Sequence, residues 1–234
     1  MSDRRKKIWI TRAQPGADLT AARVHALGHD PFVAPLLEVR DLEPQPIDLT
    51  GVGALAFTSA NGVRAYAGLS ADREKRVFAV GAATAKAARE AGFRQVLSAD
   101  GDVAALAEGI AARKGELRGA VLHPGAAEPA GDLAGALATQ GVELRQLSLY
   151  DTGAVALTDA QKAALADMDI VLLHSPKAAG VLSALLRTCP LPGLKALGLS
   201  KAVIRPLARS RLAAKVFAPF PLEAALLNLI DRTA

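Results

Sequence analysis

The chain has 234 residues, a formal charge of +5, 51% hydrophobic and 4% aromatic residues, and one cysteine, Cys189. This composition excludes a disordered or low-complexity chain, and apolar runs no longer than a strand exclude a membrane-spanning helix. A lone cysteine excludes an internal disulfide and a cysteine zinc site.

Alanine and leucine dominate, which favours packed helices around short Val/Leu strands. The basic tail Met1–Lys7 runs straight into an apolar strand, without the apolar region and cleavage site of a signal peptide, so a cytoplasmic location is expected. Basic residues elsewhere are dispersed and not interleaved with aromatics. No nucleic-acid partner is therefore expected, and the mild positive bias suits a small acidic ligand. Nothing demands more than a monomer.

Ile8–Thr11 reads as a short strand, followed by Arg12. Asp18–Leu27 has helical spacing, and Gly28 supplies the stop. Pro31–Val39 reads as extended, and residues 40–52, with prolines at 44 and 46, as a linker. Strand 54–57, a helix from about 60, strand 77–80 and a helix from about 84 to 91 follow. Gln95–Leu97 is a short strand, and Asp102 caps a helix running to about Arg113. Ala120–His123, Asp132–Gln140 and Val142–Tyr150 then repeat strand, helix and strand, and helix 159–166 lies behind Thr158. Strands 169–173 and 194–197, each followed by a helix, precede strand Lys215–Ala218 and a closing helix Glu223–Ile230.

The second half restates the first. Ser59 and Ser175 are 116 positions apart, as are Thr84 and Ser200, and each pair follows an apolar strand. Val96 and Val216 are 120 apart, implying four inserted residues in the second copy. The chain reads as a tandem duplication that forms two α/β lobes with a cleft between them. Each lobe is expected to be a mostly parallel sheet flanked by helices.

The pattern holds no P-loop, no dinucleotide fingerprint and no G-x-S-x-G elbow, so no cofactor is expected. His25 and His29 have no third ligand nearby, so no metal is expected. What remains is a set of neutral donors, Thr58, Ser59, Thr84, Ser175 and Ser200, where helices begin after strands. Each can cap its helix, and adjacent N–H groups can then grip a carboxylate. Arg12, Arg64, Lys86, Lys177 and Lys201 lie beside these turns.

Together these features resemble uroporphyrinogen-III synthase over Ile8–Ile230. The matching elements are Thr11-Arg12, Pro35-Leu36, Phe57-Thr58-Ser59-Ala60-Asn61-Gly62-Val63, Val80-Gly81-Ala82-Ala83-Thr84-Ala85, Gly131-Asp132-Leu133 with Leu137 and Gly141, Leu149-Tyr150 and Ser175-Pro176. The resemblance implies a discontinuous first lobe, residues 1–38 and 152–234, and a second lobe, residues 39–151. They would be joined by a two-stranded connection of Pro35–Val39 with Leu147–Asp151. It also implies cyclisation of the linear tetrapyrrole hydroxymethylbilane, with loss of water and inversion of the terminal ring. Tyr150 would assist loss of the hydroxyl. Arg12, Thr58, Ser59, Asn61, Gly81, Thr84, Lys86, Ser175, Lys177, Ser200 and Lys201 would hold the substrate's carboxylates. His174 stands where the family often has a hydroxyl residue, and Gly198-Leu199-Ser200-Lys201 replaces glycine-x-x-threonine. The alternative reading is a non-catalytic binding or accessory protein for an anionic tetrapyrrole-like molecule.

Overall fold

The computed structural model describes residues 4–43, 46–129 and 131–232. Part of the basic tail and of the 40–52 linker reading (Met1–Asp3, Pro44 and Gln45) thus lies outside the described residues. In chain order the elements are β1 (Lys7–Ile10), α1 (Gly16–Ala26), β2 (Asp30–Val33) and β3 (Leu37–Asp41). Next come β4 (Val52–Phe57), α2 (Ala60–Leu69), β5 (Arg76–Ala79), α3 (Ala82–Glu90), β6 (Val96–Ser98) and α4 (Val103–Ala111). β7 (Ala120–Ala126), α5 (Leu133–Thr139), β8 (Leu144–Ala154), α6 (Asp159–Ala164), β9 (Ile170–Leu173) and α7 (Pro176–Leu185) follow. The chain closes with β10 (Lys195–Gly198), α8 (Lys201–Ile204), β11 (Ala214–Phe217), α9 (Glu223–Leu227) and α10 (Leu229–Arg232).

The chain divides into two compact units, Met1–Val39 with Gly153–Ala234, and Arg40–Thr152. The first unit holds a sheet of order β11-β10-β9-β1-β2, parallel throughout. The sheet of the second has order β3-β8-β7-β4-β5-β6, and its strands from β8 to β6 pair in parallel. β3 runs antiparallel to β8: Leu42 donates to Leu149 O and Val155 to Leu36 O, both at 3.0 Å. The fold is therefore α/β, with two mostly parallel sheets flanked by helices.

Burial follows from this layering. A parallel strand covered by helices on both faces is apolar along its whole length, and all four residues of β9 are buried. Alternate residues feed opposite faces. Trp9, Val171 and Leu173 pack with Leu182 and Leu207, whereas Ile8, Ile10, Ile170 and Leu172 pack with Val24, Leu226 and Ile230. The Trp9 indole N–H donates to Ala34 O at 2.8 Å, so the bulkiest core side chain leaves no orphan donor. In the second unit Ala54, Ala56, Phe78 and Val121 pack beneath α4 and α5 through Leu106, Ile110, Leu133 and Leu137.

The duplication is visible in the strand order. β2-β1-β9-β10-β11 and β8-β7-β4-β5-β6 are the same arrangement, built from complementary parts of the two copies. The 116-residue spacing holds for β4 and β9 but not beyond them. Phe57 aligns with Ala79 across its sheet, and Leu173 aligns with Gly198, so Ala79 and Gly198 are the equivalent pair. The connection 186–194 is three residues longer than 70–75, and the insertion lies there. Ser200 is consequently the counterpart of Gly81, since each N-caps its helix in the same extended conformation. Thr84 is the counterpart of Val203, and Val96 that of Lys215.

Other boundaries also differ from the expectations. Extended segment 31–39 is split into β2 and β3, because it leaves one sheet before entering the next. β3 reaches Asp41 and β4 starts at Val52, which shortens the linker. β8 continues to Ala154, and the closing helix is interrupted at Asn228.

Candidate functional site

In a parallel α/β sheet of this order, ligands bind beyond the strand C-termini where the chain direction switches. The switch lies between β1 and β9 in the first unit and between β7 and β4 in the second. The residues leaving these strands are Thr11-Arg12, His174-Ser175 and Thr58-Ser59, and His123 lies within β7. The topology alone singles them out.

In the second unit Thr58 does not cap α2. Its hydroxyl lies 3.1 Å from His123 Nε2 instead. Ser59 is the N-cap and accepts from the Asn61 N–H at 3.1 Å. The Asn61 side-chain oxygen accepts from Arg64. Two glycines make this packing possible: a Cβ on Gly62 would lie 2.7 Å from Pro124 O, and one on Gly125 would lie 3.1 Å from His123 Nε2. His123 is buried, which pushes its pKa down and favours a neutral ring.

Tyr150 belongs to the same cluster. It sits on β8 opposite Ala126, just past a register shift at Gly125/Ala126. Such bulges re-aim side chains. The phenol is buried, and burial raises its pKa; a hydrogen bond with Ser59 and the Arg64 charge pull the other way. Thr58, Ser59, Asn61, Arg64, His123 and Tyr150 thus form one constellation.

In the first unit Thr11 is fully buried and donates to Leu172 O at 2.7 Å, tying the C-terminal ends of β1 and β9 together. Arg12 lies across the start of α1, where a Cβ on Gly16 would meet its Nε at 2.6 Å. Its Nη1 reaches Thr20 Oγ1 and Glu223 Oε1, each at 3.3 Å. Glu223 also accepts from Thr20 and Arg23. Beside this network, His174 Nε2 is 3.6 Å from Glu223 Oε1, and neither ring nitrogen of His174 makes a hydrogen bond. Burial, then the Arg12 charge, push the His174 pKa down to about 3. The ring is neutral at ordinary pH, and the two arginines outweigh Glu223 by one positive charge.

The remaining expected site residues are placed as follows. Ser175 N-caps α7 and accepts from the Ala178 N–H at 3.1 Å. Ser200 N-caps α8 without a side-chain cap bond. Gly81 N-caps α3, while Thr84 is buried in its first turn and is no cap. Lys177 and Lys201 are exposed. Lys86 forms an ion pair with Glu90 along its own helix. Thr20, Glu223 and the environments of His123 and His174 carry no local motif in the sequence. A usable signal was present for Glu223, the one carboxylate between Asp169 and Asp231. Among the described residues no cluster of three or more His, Cys, Asp or Glu could hold a metal ion. None of the described helices is long and apolar enough to cross a membrane.

A family model described as "Uroporphyrinogen-III synthase HemD" matches residues 18–228. The chain belongs to the uroporphyrinogen-III synthase family. Its fold is similar to the uroporphyrinogen-III synthetase of Helicobacter pylori 26695, at 18% identity and TM-score 0.68, covering 99% of this chain and 100% of the other. It is also similar to a mutant uroporphyrinogen III synthase of the extremely thermophilic bacterium Thermus thermophilus, at 18% identity and TM-score 0.55, covering 97% and 98%. No curated protein sequence matches the chain. Membership of the uroporphyrinogen-III synthase family makes this chain a hydro-lyase of tetrapyrrole biosynthesis.

Proposed function

We propose that the chain cyclises hydroxymethylbilane to uroporphyrinogen III, with loss of water and inversion of the terminal pyrrole ring. The family match carries this reading, and the chemistry of the two strand-end constellations supports it. The substrate presents eight carboxylates, and closure without a catalyst yields the uninverted isomer. The protein's main task is to select which carbon attacks, and fixed donors perform such positioning.

In this reading each unit's constellation is suited by itself to a carboxylate. In the first it is the Arg12–Arg23–Glu223 cluster. In the second it is Arg64, whose hydrogen bond goes to the neutral amide of Asn61, with open N–H groups at the starts of α2 and α3. Tyr150, kept protonated by burial, donates a hydrogen bond to the departing hydroxyl. The enzyme works as a monomer in the cytoplasm.

The test is isomer analysis of the product made from hydroxymethylbilane generated in situ. Predominance of isomer III, lost in Arg12→Ala together with Arg64→Ala, supports the reading. Isomer I alone overturns it.

A further inference from the structure

Residues 170–222 contain eight Lys or Arg and no Asp or Glu. Four of these cations, Arg187, Arg205, Arg209 and Arg211, line one open groove of about 660 Å³ in the first unit. All four are exposed, and among the described residues none has a carboxylate partner. The groove lies after α7 and α8 and before β10 and β11, hence at the strand N-terminal end. Arg12 and His174 stand at the opposite end of the same sheet.

Between the arginines an apolar surface is supplied by Leu186, Pro190, Pro206 and Ala208. The turn bearing three of the arginines is fixed in place. Lys215 Nζ donates to Leu207 O at 3.3 Å and to Ala208 O and Ser210 O at 3.0 Å. The guanidinium groups therefore extend from an ordered loop, which lowers the entropy lost on capturing an anion.

We propose that this groove is a second binding site, for polycarboxylates with an apolar body, the class to which a tetrapyrrole substrate or product belongs; this rests on the function proposed above. A concave space of this volume fits a small molecule better than a flat protein surface. The absence of any aromatic residue from the lining disfavours stacked nucleic-acid bases. Apolar walls rimmed by unneutralised arginines match an apolar macrocycle edged with carboxylates.

The test titrates the full chain with uroporphyrin, followed by fluorescence, and compares the triple variant Arg205→Gln, Arg209→Gln, Arg211→Gln and the matching triple Lys variant. Wild type is expected to bind at two sites. The Gln variant should bind about tenfold more weakly at one of them, for three exposed charges removed. The Lys variant should keep the affinity there, and isomer III should form at the wild-type rate in both. Unchanged stoichiometry and affinity in the Gln variant, with isomer III still formed, overturn the groove and leave the proposed function standing. Equal displacement of uroporphyrin from this site by inorganic pyrophosphate or duplex DNA also overturns it. Arginine-dependent binding by a protein that forms no isomer III keeps the site but removes the functional reading.

Discussion

Arg12 and Glu223 are 211 residues apart in sequence and meet at 3.3 Å, where Glu223 also receives Arg23 and the Thr20 hydroxyl. This junction fixes the start of α9 against the C-terminal end of β1. Glu223 is largely buried, so removing it takes away a carboxylate that two crowded guanidinium groups share. Glu223→Ala is expected to lower stability by about 1–3 kcal/mol, toward the low end because the arginines are partly exposed. Urea unfolding measures this. Catalytic efficiency should fall with it, since Arg12 loses its fixed position.

His174 makes stability depend on acid. Its native pKa of about 3 lies below the ordinary value of 6.5, so between these limits the unfolded chain binds a proton that the folded chain refuses. The contribution is fully present above pH 6.5 and is lost as pH falls toward 3, by at most about 1.4 kcal/mol per pH unit. Buried His123 adds in the same direction. His174→Gln should flatten the curve of stability against pH in this window; an unchanged slope would contradict the assignment.

Burial raises the Tyr150 pKa, so the phenol stays a donor through neutral pH and ionises only in strong alkali. Stability from this group is present below the ordinary pKa near 10 and is lost as pH rises through the raised value. A phenol this reluctant to ionise is a weak acid. Tyr150→Phe is accordingly expected to lower kcat by about tenfold, below the usual range for a strong general acid. The acid limb of the rate profile should not move. A loss of about a thousandfold would mean that Tyr150 transfers a proton fully in the transition state.

Gly62 tests the scaffold. α2 approaches β7 so closely that a Cβ there meets a backbone carbonyl, which has no flexible end to yield. Gly62→Ala should cost about 1–3 kcal/mol and disturb Ser59, Asn61 and Arg64 together. Gly68→Ala, on the same helix with nothing within 4 Å, is the control and should be neutral or mildly stabilising.

Local physics was readable in the sequence. The apolar runs of β4 and β9, the caps at Ser59, Ser175 and Asp102, and the helix behind Thr158 all follow from chemistry spanning a few residues. What escaped was long-range. Thr58 looked like a cap because it ends a strand, but its partner His123 is 65 positions away. The 116-residue match of Thr84 with Ser200 joined two small hydroxyl residues, whereas sheet register pairs Ser200 with Gly81. The insertion responsible lies in a connection whose length no periodicity constrains. Glu223 entered the site only through tertiary packing against Arg12.

The product-isomer ratio tests the central claim most directly. Hydroxymethylbilane would be generated in situ with and without the protein, and the oxidised porphyrins separated by chromatography. Predominant isomer III with the protein, against isomer I without it, is the predicted result. Isomer I in both, at equal rates, would contradict the claim that this chain directs ring inversion.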